Sequence, residues 1–272
     1  MSTAPLELIV LGAGAALPGL GRGPAGYAVR GGGLEGVTLL DCGPGSIRSL
    51  ADRGLDLLDI RRVVLSHFHA DHVLDLFALA FARRNPNLDP DELPEVELIG
   101  PVGLAKLLSV RQAPFDLWTR DPRHRLTEVT PDAGGCLRIE RDDVVFSARE
   151  VQHTVGALGW RVEAPGGASL TYSGDTGETP ALAELARGTE LLVAECGQAL
   201  DEEPEMHLNG AAAGRLAAAA GCHGLLLTHF YPHVDPDLAV AAAAESYAGQ
   251  IHAAVDGTRL VLEPGRPPSR IT

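Results

Sequence analysis

Two rhythms of apolar and polar residues run along the chain. Short apolar runs bounded by glycine or polar residues predict strands at Leu6–Leu11, Gly26–Arg30, Val37–Asp41, Arg62–Ser66, Val144–Val151, Leu158–Val162, Ser169–Ser173, Leu191–Ala194, Gly224–Thr228 and, last, Arg259–Leu262. Helical spacing appears at Ser46–Arg53, at Val73, Leu74, Phe77, Ala78 and Phe81, and at Leu104–Val110, Asn209–Ala220 and Pro236–Tyr247. A further helix over Pro180–Arg187 has Thr179 as N-cap and Pro180 at its first position. The Pro-rich stretch from Asn85 to Pro101 reads as a surface loop, Phe115–Arg125 carries little signal, and the tail Pro264–Thr272 reads as loosely ordered.

Both halves begin with strands and pass into strand–helix alternation, with no repeat at the residue level. This predicts an α/β (α+β) fold of two sheets covered by helices. No linker composition interrupts the chain, so a single domain over 1–272 is expected.

Composition narrows the function. Hydrophobic residues make up 45% and charged residues 21%, which excludes a disordered chain. No apolar run reaches the ~18 residues of a membrane span. Leu6–Leu11 has no Lys or Arg before it, unlike a secretory signal, so a strand is the better reading. Cys42, Cys136, Cys196 and Cys222 form no CxxC pair, and are expected to be reduced thiols in the cytoplasm. With 36 acidic against 22 basic residues the net charge is −14, unfavourable for long nucleic acid. A small anionic substrate drawn to a local metal charge stays open.

The chemistry concentrates at His67-Phe-His69-Ala-Asp71-His72, directly after the strand ending at Ser66. In an extended segment residues i and i+2 point the same way, so His67 and His69 can reach one metal. Asp71 and His72 lie at the turn into the next helix and point toward a second. Such a cluster is costly to bury without a cation. His153, Asp175 and His229 each follow an apolar β run. Singly they could be turn or surface residues; jointly they supply the missing ligands. His233 and His252 lack partner spacing. Gly12-Ala-Gly14-Ala-Ala-Leu17 resembles a dinucleotide loop but lacks the third glycine and a following helix.

The opening Leu11–Pro18, the Leu40-Asp-Cys-Gly43 strand end, the HxHxDH motif at 67–72, His153, Ser173-Gly-Asp-Thr176 and Leu227-Thr-His-Phe230 together resemble the metallo-β-lactamase-fold hydrolase superfamily, in its ribonuclease Z-like and phosphodiesterase-like branch. The resemblance implies an αββα sandwich of two mixed β-sheets with metals at one edge. It implies a dinuclear centre, with His67, His69 and His153 on one metal, Asp71, His72 and His229 on the other, and Asp175 bridging. Imidazole and carboxylate ligands suit zinc, with manganese or iron as alternatives. It also assigns His207, before the Ala-rich helix, and Glu195, which would orient it; the family's usual His before that Glu is here Ala194. The related branch is commonly dimeric, so a homodimer is a further expectation.

The implied activity is phosphodiester hydrolysis in a small nucleotide or cyclic phosphodiester by a hydroxide shared between the metals. Asp71 would ligate metal and orient the nucleophile, and His207 would bind a phosphate oxygen or protonate the leaving group. Three alternatives remain: a ribonuclease Z-like endoribonuclease for tRNA 3′ ends, a carboxylic ester, thioester or lactone hydrolase, and a metal-binding regulatory protein without catalysis. The full set of seven ligand positions disfavours the last. Only 22 positions separate His153 from Asp175, too few for the tRNA-gripping arm often found in ribonuclease Z. The segment 85–125 could shape a pocket instead, with Arg120, Arg123, His124 and Arg125 meeting a phosphate or forming a solvated charged loop.

Overall fold

The computed structural model describes residues 5–17, 19–89, 91–109, 123–132 and 135–271. The first half contains β1 (Leu6–Gly12), β2 (Gly26–Gly31), β3 (Val37–Cys42), α1 (Ser46–Asp52), β4 (Ile60–Val64), α2 (Ala70–Val73), α3 (Asp75–Ala82), β5 (Val96–Pro101), α4 (Leu104–Leu108) and β6 (His124–Val129). The second contains β7 (Leu137–Arg141), β8 (Val144–Glu150), β9 (Leu158–Glu163), β10 (Ser169–Tyr172), α5 (Pro180–Leu185), β11 (Leu191–Glu195), α6 (Gly210–Ala220), β12 (Gly224–Thr228), α7 (Pro236–Ala244), β13 (Gln250–Ala253), β14 (Arg259–Leu262) and β15 (Ser269–Ile271).

Eight strands form one sheet in the order β15-β14-β1-β2-β3-β4-β5-β6, and seven form the other in the order β13-β12-β11-β10-β9-β8-β7. In each, antiparallel hairpins give way to parallel strands linked by helices: β3 to β6 in the first, β10 to β13 in the second. This is the doubled strand-then-alternation pattern of the sequence. Leu8, Val10, Tyr27, Leu40 and Val64 from one sheet meet Phe146, Trp160, Leu170, Tyr172 and Val193 from the other in the central core. The outer faces bury Ile9, Leu39 and Val63 under α1, α3 and α4, and Leu192, Leu225 and Leu227 under α5, α6 and α7. Central strands covered on both faces explain why they read as continuous apolar runs rather than alternations. The result is the αββα sandwich of two mixed sheets.

Some boundaries differ from expectation. The segment 85–101 is not wholly a loop, because Val96–Pro101 forms β5 with every residue buried. The weak segment ends in β6, and Arg120 lies outside the described residues. Strands β7 and β13 were not expected, and Arg259–Leu262 is not the last strand. The tail adds β15 against β14, and Gly265 N donates to the Glu190 carboxylate at 3.0 Å. After β1, Gly14 bridges to Phe230 rather than opening a helix, consistent with setting aside a dinucleotide loop.

Candidate metal centre

The C-terminal ends of the parallel strands deliver the site, the usual place for ligands in such sheets. Strand β3 carries Asp41, β4 runs into Ser66 and His67, β10 into Asp175, β11 ends at Glu195 and β12 leads to His229. Asp41 and His229 have left-handed backbone conformations, φ 55° and 59°. For non-glycine residues this conformation is costly and clusters at functional sites. Gly43 permits the close approach of α2, since a Cβ there would collide with the carbonyl oxygens of Asp71 and Ala25.

Two ligand groups emerge: His67, His69, His153 and Asp175, and Asp71, His72 and His229, each with donor atoms within 4.8 Å of one another. His153 Nε2 lies 3.2 Å from His69 Nδ1 and 3.8 Å from Asp175 Oδ2, which is also 3.8 Å from His67 Nε2. The other Asp175 oxygen, Oδ1, lies 3.3 Å from His72 Nε2 and 3.4 Å from His229 Nε2. Asp71 Oδ2 stands 3.3 Å from His229 Nε2 and 3.5 Å from His72 Nε2. Asp175 thus offers one oxygen to each group.

These residues fit a metal. Four nitrogens or oxygens at zinc-ligand distance around one ion are separated by about 3.4 Å along a tetrahedron edge, close to the spacings above. His67 Nε2, His72 Nε2 and Asp175 Oδ1 are buried without a hydrogen-bond partner. Buried orphan polar atoms are rare without something to satisfy them. The approach of His72 Nε2 to Asp175 Oδ1 is therefore proximity around a shared point, not a formed hydrogen bond.

The opposite ring atoms are engaged. His72 Nδ1 donates to Asp41 Oδ2 at 2.7 Å, and His153 Nδ1 to the Met206 carbonyl at 3.1 Å, leaving Nε2 for metal in both. Asp41 also accepts from Ser66 N, Ser66 Oγ and the Tyr172 hydroxyl, each at 2.7 Å. Trp160 Nε1 donates to the Leu65 carbonyl at 3.0 Å, tying the second sheet to the strand that carries the motif.

Electrostatics follow burial and charge. Burial and the neighbouring His72 push the His67 pKa down to about 3, so this imidazole is a neutral donor. Burial opposes ionisation of Asp175, yet His229 and His72 hold it well below the usual carboxylate range. Asp71 is likewise lowered against its burial by His229 and His72. Burial disfavours a proton on His72, but Asp175 and Asp41 outweigh it and raise its pKa well above the usual value. A cation entering here displaces that proton.

At the rim, His207 Nδ1 donates to Glu195 Oε1 at 2.8 Å. The same carboxylate accepts from Thr176 N and Gly197 N, both at 2.9 Å. His207 stands with its ring 5.0 Å from that of His153 and 5.8 Å from that of His229. Burial lowers its pKa, but the hydrogen bond and charge of Glu195 prevail and raise it to about 9. Although Asp175, His207 and His229 also have ligand-like spacing, Glu195 occupies His207 Nδ1.

All nine sequence candidates thus meet at one edge. Arg123, His124 and Arg125 do not. They stand at the start of β6, the far end of the parallel strands, where Arg125 pairs with Glu97 at 2.9 Å and Arg123 donates to the Leu93 carbonyl at 2.6 Å. The two arginines are engaged by their own chain, and none of the three stands where a phosphate at the site would reach it. Sequence reasoning gave no role to Asp41 or Tyr231. The signal for Asp41 was a carboxylate inside the apolar run Val37–Cys42; nothing marked Tyr231 beyond its place two residues after His229.

The beta-lactamase superfamily domain pattern matches residues 38–230, which span the ligand set. The chain belongs to the metallo-β-lactamase-fold hydrolases. Within that superfamily it lies among the ribonuclease Z-like proteins. It is 30% identical to ribonuclease Z of Mycolicibacterium gilvum over 286 residues, covering 96% of this chain and 97% of that one. Its fold matches the metallo-beta-lactamase fold protein YhfI from Bacillus subtilis with TM-score 0.81 at 21% identity, covering 95% and 99% of the two chains. A diphosphatase of the PhnP family matches with TM-score 0.69 at 20% identity, covering 94% and 97%.

Proposed function

We propose that this hydrolase is a phosphodiesterase of small nucleotides or cyclic phosphodiesters and holds two divalent cations. The ligand chemistry favours zinc over manganese or iron. His67, His69 and His153 would hold one cation, Asp71, His72 and His229 the other, with Asp175 between them. When bound, the cations supply charge neutralisation at phosphorus and a water acidified to near-neutral pKa.

The observation that carries the reading is the His207–Glu195 pair at 2.8 Å, placed against the ligand cluster. Glu195 keeps a proton on His207 and fixes its Nδ1, which leaves Nε2 without a protein partner among the described residues. A positioned imidazolium serves an anionic phosphoryl oxygen and a departing alkoxide better than it serves a neutral carbonyl. Asp71 would hold metal and orient the attacking water.

Ribonuclease Z-like cleavage of RNA is the second reading, supported by the ribonuclease Z relative. Against it stand the −14 charge and the span from His153 to Asp175, filled only by β9, β10 and their turns. Hydrolysis of esters, thioesters or lactones at the same centre is the third. A panel of bis-p-nitrophenyl phosphate, cyclic nucleotides, precursor tRNA and a lactone, each with zinc or manganese, separates them. His207→Ala is expected to keep its metal while phosphodiester turnover falls ~10²-fold or more. Unchanged turnover contradicts the role of His207. Asp175→Ala is expected to lose metal by elemental analysis.

A further inference from the structure

The chain has four tyrosines. Three are buried with bonded hydroxyls: Tyr27 to Thr228 Oγ1 at 2.8 Å, Tyr172 to Asp41 at 2.7 Å and Tyr247 to the Cys222 carbonyl at 2.9 Å. Tyr231 is different. It is half-buried, and its hydroxyl makes no hydrogen bond among the described residues. Its ring plane is nearly perpendicular to that of His229, at 5.9 Å and 89°, and to that of His207, at 6.2 Å and 80°. On the solvent side lies the exposed His233, its ring 5.7 Å away and tilted by 31°.

Gly197 seats this ring. A Cβ at that position would stand 3.3 Å from Tyr231 Cδ2 and 3.3 Å from Glu195 Oε2. Tyr231 is therefore packed against the segment that presents Glu195 to His207, and not left to swing freely. Tyr231 thus borders the ligand cluster on the side of His229 and His207, beside the place a phosphate would take under the reading above.

Aromatic faces bind nucleobases by stacking, and an unpaired phenol hydroxyl adds a hydrogen bond to a nucleoside. A short alkyl substituent gains neither. We propose that Tyr231 is a specificity-determining residue that stacks the nucleobase of a nucleotide whose phosphate sits at the metal centre. This rests on the phosphodiesterase reading above and adds a substrate class, nucleoside over alkyl phosphodiesters.

The test uses the full chain loaded with zinc, as wild type, Tyr231→Phe and Tyr231→Leu. Calorimetric titration with adenosine monophosphate and with glycerol phosphate reads binding without turnover. KM for a cyclic nucleotide and for cyclic glycerol phosphate reads the reaction. Tyr231→Leu is expected to weaken the nucleotide about tenfold or more in both readouts, with less than about a twofold change for the glycerol compounds. Tyr231→Phe is expected to keep most of the preference. Metal content is expected to be equal in all three, and a variant that loses zinc contradicts the assignment by making Tyr231 a support for the ligands. Equal binding of both phosphates by wild type, or equal loss of both in Tyr231→Leu, overturns it. A wild-type protein that prefers the nucleotide but hydrolyses no phosphodiester contradicts the phosphodiesterase reading alone. Phosphodiester turnover with an unchanged nucleotide KM in Tyr231→Leu contradicts this inference alone.

Discussion

Asp41 shows how much of the centre depends on a residue that touches no ligand position directly available to solvent. Fully buried, it gathers Ser66 just after β4, His72 in α2 and Tyr172 at the end of β10. Its truncation leaves the His72 ring without an orienting acceptor and strands buried donors. Asp41→Ala is expected to lower metal affinity by about 10–100-fold, measured by chelator competition, while removing no ligand. Unaltered affinity would mean that packing alone holds the His72 ring. The ligand candidates were legible in the sequence because His69, Asp71 and His72 crowd beside His67 after one apolar run, and His153, Asp175 and His229 each follow another, where strand termini gather. Asp41 was not, since its partners come from residues 66, 72 and 172, pairings that a linear pattern does not carry. Tyr231 was hidden for the same reason: its significance lies in what surrounds the ring.

Among the elements, those with strong periodicity or clean caps were legible. Thr179 accepts from Ala181 N, and α5 begins at Pro180 as the sequence indicates. Strand β5 was obscured by the prolines around it and by Glu97, a charge in the middle of a buried strand. The structure explains that charge: Glu97 accepts from Arg141 at 2.8 Å and pairs with Arg125 at 2.9 Å and Arg62 at 3.4 Å. Burial opposes ionisation, but Arg141 and Thr127 prevail and lower the Glu97 pKa to about 2. Strand β7, only partly buried, and the four-residue β13 gain their identity from pairing with neighbours rather than from local propensity. At this scale Gly43 is the testable point, because it sets how closely α2 approaches the end of β3. Gly43→Ala is expected to displace Asp71 and reduce metal content, with far-ultraviolet circular dichroism retained. Full metal occupancy in a folded Gly43→Ala protein would contradict that reading.

Across the whole molecule, two sheets are held in register at the site edge by polar ties as well as by the core. Tyr27 to Thr228, Tyr172 to Asp41 and Trp160 to Leu65 all cross between them. The centre therefore belongs to the assembled sandwich, and its protonation is coupled to folding. His67 titrates at about 3 in the folded chain against 6.5 for the free side chain. As pH falls through that window the unfolded chain binds a proton that the folded site refuses, so stability declines; ionised Asp71 and Asp175 act in the same direction. His207, raised from 6.5 to about 9, has the opposite sign: its contribution is complete below 6.5 and is lost as pH rises through 9. Chelator-treated protein is therefore expected to be most stable near pH 6.5, with the urea midpoint falling on the acid side between about pH 6.5 and 3. A midpoint constant down to pH 4 would contradict the buried, neutral His67.

The central claim is that strand ends from both sheets converge to hold two cations. Anomalous diffraction at the zinc absorption edge, from crystals of the zinc-loaded protein, tests it most directly. Two peaks are expected, one among His67, His69 and His153 and one among Asp71, His72 and His229, with Asp175 reaching both. The absence of both peaks, with these imidazoles hydrogen-bonded only to protein and water, would contradict it.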